Sequence, residues 1–228
     1  MTAPDEDARP DTSSTAQARL LAFIAHELRT PVTVAVGTLS MLESGRFDPL
    51  PPPQLHVVEM AMRSVAGVRA MADDMSLVAR VARGEWPLHA SAVAFDDIIA
   101  DVAASLHESN PGTTPGIPSD ASSATAVVDR GAMVRAVTAL ATFVMREASA
   151  SAVTLRIVRE PAHDWLVVSS PGPATAPLAL DLADVDPSTS GNGFALHAAA
   201  ALLALHGLRA VRLDTAPDTA AAAIAFPR

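Results

Sequence analysis

The stretch Phe-Ile-Ala-His-Glu-Leu-Arg-Thr-Pro-Val-Thr-Val, residues 23–34, decides how this part of the chain folds. It places one histidine, His26, between an apolar flank and a charged residue, Glu27. Apolar side chains run through the stretch and beyond it at alternating spacings of four and three residues. They are Leu21, Ala25, Leu28, Val32, Ala35, Leu39 and Leu42. This repeat is typical of a coiled-coil seam and predicts a helix from about Ala16 to Ser44.

A second helix is predicted after a turn that contains Gly45 and the proline cluster of residues 49–53. It continues to about Arg83, and its apolar repeat has the same spacing. The repeat consists of Val58, Ala61, Val65, Val68, Ala72, Met75, Ala79 and Ala82, and it is widened by Met62, Met71, Leu77, Val78 and Val81. So wide a stripe indicates that residues 16–84 form a hairpin that dimerises into a four-helix bundle. The alternative is a hairpin that packs on its own second domain.

Residues 88–228 are predicted to form a second domain after a hinge at residues 84–87. Helices are expected at 95–106, 133–147 and 194–206, strands at 153–158, 165–169, 210–213 and 221–226, and a loop at 109–124. This order predicts an α/β sandwich with one sheet and helices on one face, so the fold class of the whole chain is α+β. Residues 1–15 are polar, have nothing to bury, and are predicted to be a disordered tail.

Composition excludes several classes of function. The net charge is −9 and no basic patch stands out, which argues against a general nucleic-acid binder. The chain has no cysteine, so disulfides, thiolate metal sites and thiol nucleophiles are excluded. We see neither a signal peptide nor a run of about 20 apolar residues, so we expect a cytoplasmic protein without membrane contact.

The other titratable residues offer no second site. The histidines besides His26 show no metal-ligand spacing, and we interpret them as solvated or incidental. Asp73 and Asp74 are adjacent on a predicted helix, where neighbouring side chains point apart, so we interpret them as part of a solvated face.

The string His-Glu-Leu-Arg-Thr-Pro that begins at His26 resembles the phosphoacceptor box of the two-component sensor histidine kinases. The resemblance implies that His26 carries a phosphoryl group, and a neutral imidazole is indeed nucleophilic near neutral pH. The neighbouring carboxylate of Glu27 can accept its proton or hold its tautomer. Thr30 lies four residues on, on the same helical face, where its hydroxyl can orient a water. We therefore predict that His26, Glu27 and Thr30 are the catalytic residues.

A partner is predicted to bind beside His26. The outward face continues at helical spacing through small, uncharged or apolar residues. A glycine inside a helix costs about 1 kcal/mol relative to alanine, so we expect a partner helix to approach closely at Gly37. Met41 would then offer an adaptable apolar contact. The predicted partner-binding residues are Arg29, Thr33, Gly37 and Met41.

In the family that this chain resembles, the domain after the hairpin binds ATP through short boxes, most of which are altered here. Two positions that normally hold asparagine are Ala139 and Phe143, and neither offers the oxygen ligand that magnesium needs. The box Asp-x-Gly-x-Gly is replaced by Ser-Pro-Gly-Pro-Ala at 170–174. A glycine box survives in part at 191–196, and we interpret it as a turn and helix cap. We therefore predict a degenerate domain with no stably bound cofactor and no metal site.

Three functions fit this pattern. The favoured one is a histidine phosphotransferase, in which His26 relays phosphoryl groups between aspartates of response-regulator receiver domains and the receiver supplies Mg²⁺. Dimeric phosphotransferases of phosphorelays resemble this layout. The second is an active histidine autokinase with a divergent ATP site. The third is a pseudokinase or phosphatase regulator of a two-component system.

Overall fold

A computed structural model describes residues 12–109, 112–116, 124–172, 194–213 and 218–228. Two helices, α1 (Thr12–Glu43) and α2 (Pro52–Ala82), form the first of two units, which divide between Trp86 and Pro87. Because α1 begins at Thr12, the predicted disordered tail is wrong for residues 12–15, and residues 1–11 lie outside the described residues. The predicted helical hairpin is confirmed.

The turn between α1 and α2 follows from two local constraints. Gly45 has a φ of 64°, in the left-handed region that favours glycine. Pro52 and Pro53 occupy the first two positions of α2, where an absent N–H removes no helical hydrogen bond. Part of the proline cluster that was expected to belong to the turn therefore begins the second helix.

The predicted seam of α1 faces α2 along its whole length. Ala25 is completely buried and Val32 is 7% exposed, and the other five seam residues are half-buried. On α2 the seam residues Ala72, Met75 and Ala79 are buried, whereas Val68 and Ala82 are exposed. Many large apolar side chains of the first unit are exposed in the single chain. They are Leu20, Phe23, Ile24, Val34, Met41, Phe47, Val57, Met60, Val68 and Met71.

The second unit combines a five-stranded sheet, a two-stranded sheet and three helices. The strands are β1 (Ser91–Ala94), β2 (Thr114–Gly116), β3 (Thr125–Val128), β4 (Ala152–Arg159), β5 (His163–Pro171), β6 (Ala210–Arg212) and β7 (Thr219–Pro227). The helices are α3 (Phe95–Ser109), α4 (Arg130–Glu147) and α5 (Ala195–Leu205). The large sheet has the order β2-β4-β5-β7-β6, with only β2 and β4 parallel, and β1 pairs with β3. The predicted α/β sheet domain is confirmed.

The core of the second unit lies between α4 and the central strands of the large sheet. Helix α4 packs on β4, β5 and β7 and is flanked by α3 and α5. Leu140, Leu166 and Ile224 are completely buried there, and the rings of Phe95 and Phe226 meet edge to face with centroids 4.8 Å apart. Strand β2 lies inside the segment predicted as a loop and adds a parallel edge to β4.

Helix α1 has a further property that was not predicted from the sequence. Within the described residues, Thr15–Glu43 is long and apolar enough to cross a membrane, judged by length and composition alone. The same helix carries the charged residues Glu27 and Arg29 and packs against α2 along the seam. The absence of membrane contact therefore stays a prediction.

Asp129 fixes the start of α4. Its Oδ1 accepts the Ala132 N–H at 3.0 Å as an N-cap, and its Oδ2 accepts the His89 N–H at 3.1 Å. Its own N–H donates to Nε2 of His206 at 2.9 Å, while the other ring nitrogen of His206 lies 2.8 Å from the Leu202 carbonyl oxygen. The interpretation of His206 as solvated or incidental is therefore wrong, because this ring joins the end of α5 to the start of α4.

Burial raises the pKa of Asp129, but the N–H groups of Ala132 and His89 outweigh that effect, so the pKa lies below its ordinary value of 3.8. We predict that Asp129→Ala lowers the free energy of unfolding by about 0.5–2 kcal/mol at pH 7. Because the folded-state pKa is lowered, this contribution is complete above the unfolded pKa and is lost as the pH falls through the folded value. Denaturant unfolding at pH 7 and pH 3 should show that Asp129→Ala loses less free energy of unfolding at pH 3. The exposed Glu108→Ala is the control and should leave the free energy of unfolding unchanged at both pH values. An equal loss at the two pH values would contradict the assignment.

Gly172 lies where β5 ends, against the C-terminal end of α4. Its φ is 125°, and a Cβ added there would lie 2.5 Å from the Ala148 carbonyl oxygen. Its N–H donates to the Asp218 carbonyl at 2.8 Å. Packing alone therefore requires a glycine at this position.

We predict that Gly172→Ala destabilises the chain by about 3 kcal/mol, because the methyl group meets backbone and the φ is strained. Denaturant unfolding of the full chain measures the change. Gly131→Ala in α4 is the matched control, since its added Cβ makes only an ordinary 3.6 Å contact with Oδ1 of Asp129. A Gly172→Ala chain as stable as the parent would show that this close approach does not exist.

Candidate functional site

His26 is exposed on α1, immediately after the buried Ala25 of the seam. One residue along a helix rotates the side chain by about 100°, so burial of the seam turns the imidazole outward. In the part of the chain that the structure describes, neither the His26 ring nor the Glu27 carboxylate forms a hydrogen bond or an ion pair. The imidazole is therefore open to a reaction partner.

A shallow, open groove of about 290 Å³ surrounds the imidazole. It is lined by His26, Arg29, Thr30, Thr33 and Val34. Its volume lies at the lower limit of pockets that enclose drug-sized ligands, and it is open to solvent. The groove is therefore an accessible surface site and not a closed cavity.

The groove unites four of the predicted site residues and adds one. Glu27, Gly37 and Met41 do not line it, while Val34 was not among the predicted residues. A signal for Val34 existed, because it lies four residues after Thr30 and outside the seam. Val34 is 65% exposed, so it gives the groove an apolar edge.

The two threonines of the groove differ in their hydrogen bonding. The Thr33 hydroxyl donates to the Arg29 carbonyl oxygen at 2.7 Å, one turn back along α1. The Thr30 hydroxyl has no hydrogen-bond partner within the described residues. Of the two hydroxyls, that of Thr30 is thus the one free to hold a water or a phosphoryl oxygen.

Helix α1 continues through Pro31, which has no N–H to donate to the Glu27 carbonyl.

Arg29 connects the groove to α2. Its Nη2 donates to Oδ1 of Asp73 at 3.0 Å, and both side chains are close to half exposed. Asp73 and Asp74 were both predicted to lie on a solvated face. Asp74 is in fact buried, with 9% of its surface exposed, so that interpretation is wrong for Asp74. Nothing in the sequence alone pairs Arg29 with a residue 44 positions away.

The predicted close approach at Gly37 has no counterpart within the single chain. A Cβ added to Gly37 would meet no atom within 4 Å, and Met41 is 42% exposed. The contact of a partner with these two residues therefore stays a prediction.

In the second unit, the residues that replace the ATP-binding residues of the resembled family take part in packing. Phe143 is 4% exposed in the core, and Ala139 is half-buried on the same helix, α4. Ser170 is 1% exposed, and its hydroxyl donates to the Ala152 carbonyl oxygen at 2.6 Å. Ala139 and Phe143 have no oxygen ligand for magnesium, and Ser170 has no carboxylate in place of the aspartate of the resembled box. The partly retained glycines, 191 and 193, lie outside the described residues.

The described ranges also contain no group of three or more histidine and acidic side chains that could hold a metal ion.

Residues 16–84 match the model of the His Kinase A (phospho-acceptor) domain. No curated protein matches the sequence. Among solved structures, the chain is similar to the histidine kinase AdeS of Acinetobacter baumannii, with a TM-score of 0.60 and 17% identity over 89% of this chain and 97% of that one. It is also similar to full-length ShkA in complex with AMPPNP, with a TM-score of 0.70 and 20% identity over 92% of this chain.

The chain spans 46% of the length of ShkA, and at these identities the likeness shows the fold alone. The domain match covers the hairpin with His26, and the fold likeness extends over both units. The chain therefore carries a His Kinase A (phospho-acceptor) domain at residues 16–84, and its fold is similar to that of solved histidine kinases.

Proposed function

We propose that the chain is a histidine phosphotransferase that relays phosphoryl groups between receiver aspartates through His26 without binding ATP. The observation that carries this proposal is the contrast between the two units. The imidazole is exposed in an open groove. In the second unit, Phe143 and Ser170 replace ATP-binding residues of the resembled family, and both are buried.

The proposed reaction exchanges one bond to phosphorus for another. The unprotonated ring nitrogen of His26 attacks the phosphorus of an aspartyl phosphate, the P–O bond to the aspartate breaks, and the carboxylate leaves. Glu27 accepts the proton from the other ring nitrogen. The second transfer reverses these steps toward another receiver. Such a reaction depends mainly on alignment and charge neutralisation, so a nucleotide site is not required.

The partners follow from the same surface. We propose that receiver domains dock on the groove and bring the Mg²⁺ that their aspartate requires. We also propose a homodimer, because the hairpin exposes many large apolar side chains, among them Leu20, Phe23 and Met60. The net charge of −9 agrees with the absence of a nucleic-acid partner. A cytoplasmic location is part of the proposal, since phosphorylated receivers are expected there.

Two parallel incubations test the function. One arm contains the full chain, Mg²⁺ and radiolabelled ATP, and the other contains a panel of receiver domains previously charged with radiolabelled acetyl phosphate. We predict acid-labile label on the chain in the receiver arm alone, and none on His26→Ala. Absence of transfer from every receiver would contradict the phosphotransferase.

The second candidate, an active autokinase, is favoured by one observation. The fold likeness to ShkA covers 92% of this chain, and ShkA in that structure is in complex with AMPPNP. The ATP arm separates the two functions, because an autokinase labels His26 from ATP in the absence of any receiver.

The partner face gives a further prediction. We predict that Gly37→Leu lowers the rate of transfer from a charged receiver at least tenfold, because the larger side chain blocks the approach of a partner helix. Gly67→Leu in α2 is the matched control, since an added Cβ there also meets no atom within 4 Å. Both changes remove a helical glycine, so a loss of transfer in both variants, or in neither, would overturn the role of Gly37.

A further inference from the structure

Arg29 is the one permanently charged residue among the five that line the groove. A phosphoryl group on an imidazole carries up to two negative charges near neutral pH, so its transfer needs a nearby cation. Arginine presents five N–H donors in a planar fork that matches phosphate oxygens. Arg29 is therefore the side chain of the groove that can neutralise a phosphoryl group.

Asp73 competes for that cation. It accepts one hydrogen bond, from Nη2 of Arg29 at 3.0 Å, and no other residue within the described ranges binds the guanidinium. With both side chains close to half exposed, the pair is weak enough to separate. The other N–H donors of Arg29 remain available while Asp73 accepts the hydrogen bond from Nη2.

We propose that Arg29 contacts the phosphoryl group at His26 and that Asp73 is its exchangeable counter-ion. In the resting groove, Asp73 neutralises Arg29 and so weakens the capture of free phosphate. When a phosphoryl group arrives at His26, its oxygens displace Asp73 from Arg29. This inference concerns the site of the proposed function, and its chemistry is testable without a receiver.

Phosphoramidate is the probe, because it phosphorylates imidazoles without an enzyme or a metal. The ring nitrogen attacks phosphorus, the N–P bond of phosphoramidate breaks, and ammonia leaves with the proton. The rate at which His26 gains phosphate can be followed by mass spectrometry of the peptide that contains it. His26→Ala identifies label on the other histidines.

We expect Arg29→Gln to slow phosphorylation of His26, because the attracting cation is gone. Asp73→Asn should accelerate it about two- to five-fold, the factor that corresponds to an exposed ion pair. In the Arg29→Gln chain, Asp73→Asn should have no effect, since Asp73 acts through Arg29. Asp73→Glu should restore the parent rate, and the acceleration should shrink at 1 M salt.

Glu59→Gln is the control, because Glu59 lies on the same helix and pairs with His56 at 3.8 Å, outside the groove lining. Thermal unfolding of each variant shows whether the fold is intact. The inference is overturned if Asp73→Asn leaves the rate unchanged or lowers it, or if its effect persists without Arg29. If the expected rates appear but no receiver exchanges phosphate with the chain, the ion-pair inference stands and the proposed function fails.

Discussion

The packing of α1 on α2 through a seam rich in alanine, valine and leucine determines the orientation of His26. Ala25 is completely buried in that seam, and the next residue is consequently turned toward solvent. The same helical phase places Thr30 beside the imidazole and directs Arg29 toward Asp73 of α2. A shift of the seam by one position would bury the histidine and separate the residues that line the groove. The chemistry of the site thus depends on the register between two helices.

In the second unit, residues in the sequence boxes that differ from the resembled family take part in packing. Phe143 fills the core, and the Ser170 hydroxyl donates to the Ala152 carbonyl. Gly172 belongs to the altered box, yet its backbone conformation and its distance to Ala148 give it a packing role that needs no phosphate. The His206 ring likewise joins α5 to α4, because it accepts the Asp129 N–H and lies against the Leu202 carbonyl oxygen. All of these contacts are made within the second unit itself.

The sequence predicted the hairpin well, because the seam of α1 repeats without a break from Leu21 to Leu42. It missed β1, β2 and β3, whose three or four residues show little alternation, although the equally short β6 was predicted at 210–213. It also missed the roles of Asp73 and His206, which depend on residues 44 and 77 positions away. The resemblance to the phosphoacceptor box singled out His26, and spacing within one helix predicted that Thr30 shares its groove. Contacts within an element were thus predictable, and contacts between elements were not.

Phosphorus NMR of the full chain mixed with a charged receiver, in nucleotide-free buffer with Mg²⁺, is the decisive test of a relay through His26. We predict that the acyl-phosphate resonance of the receiver falls while a phosphohistidine resonance appears and is assigned to His26. Later addition of ATP should not increase the phosphohistidine signal. A signal that appears only after ATP is added would show that the chain is a kinase and not a relay.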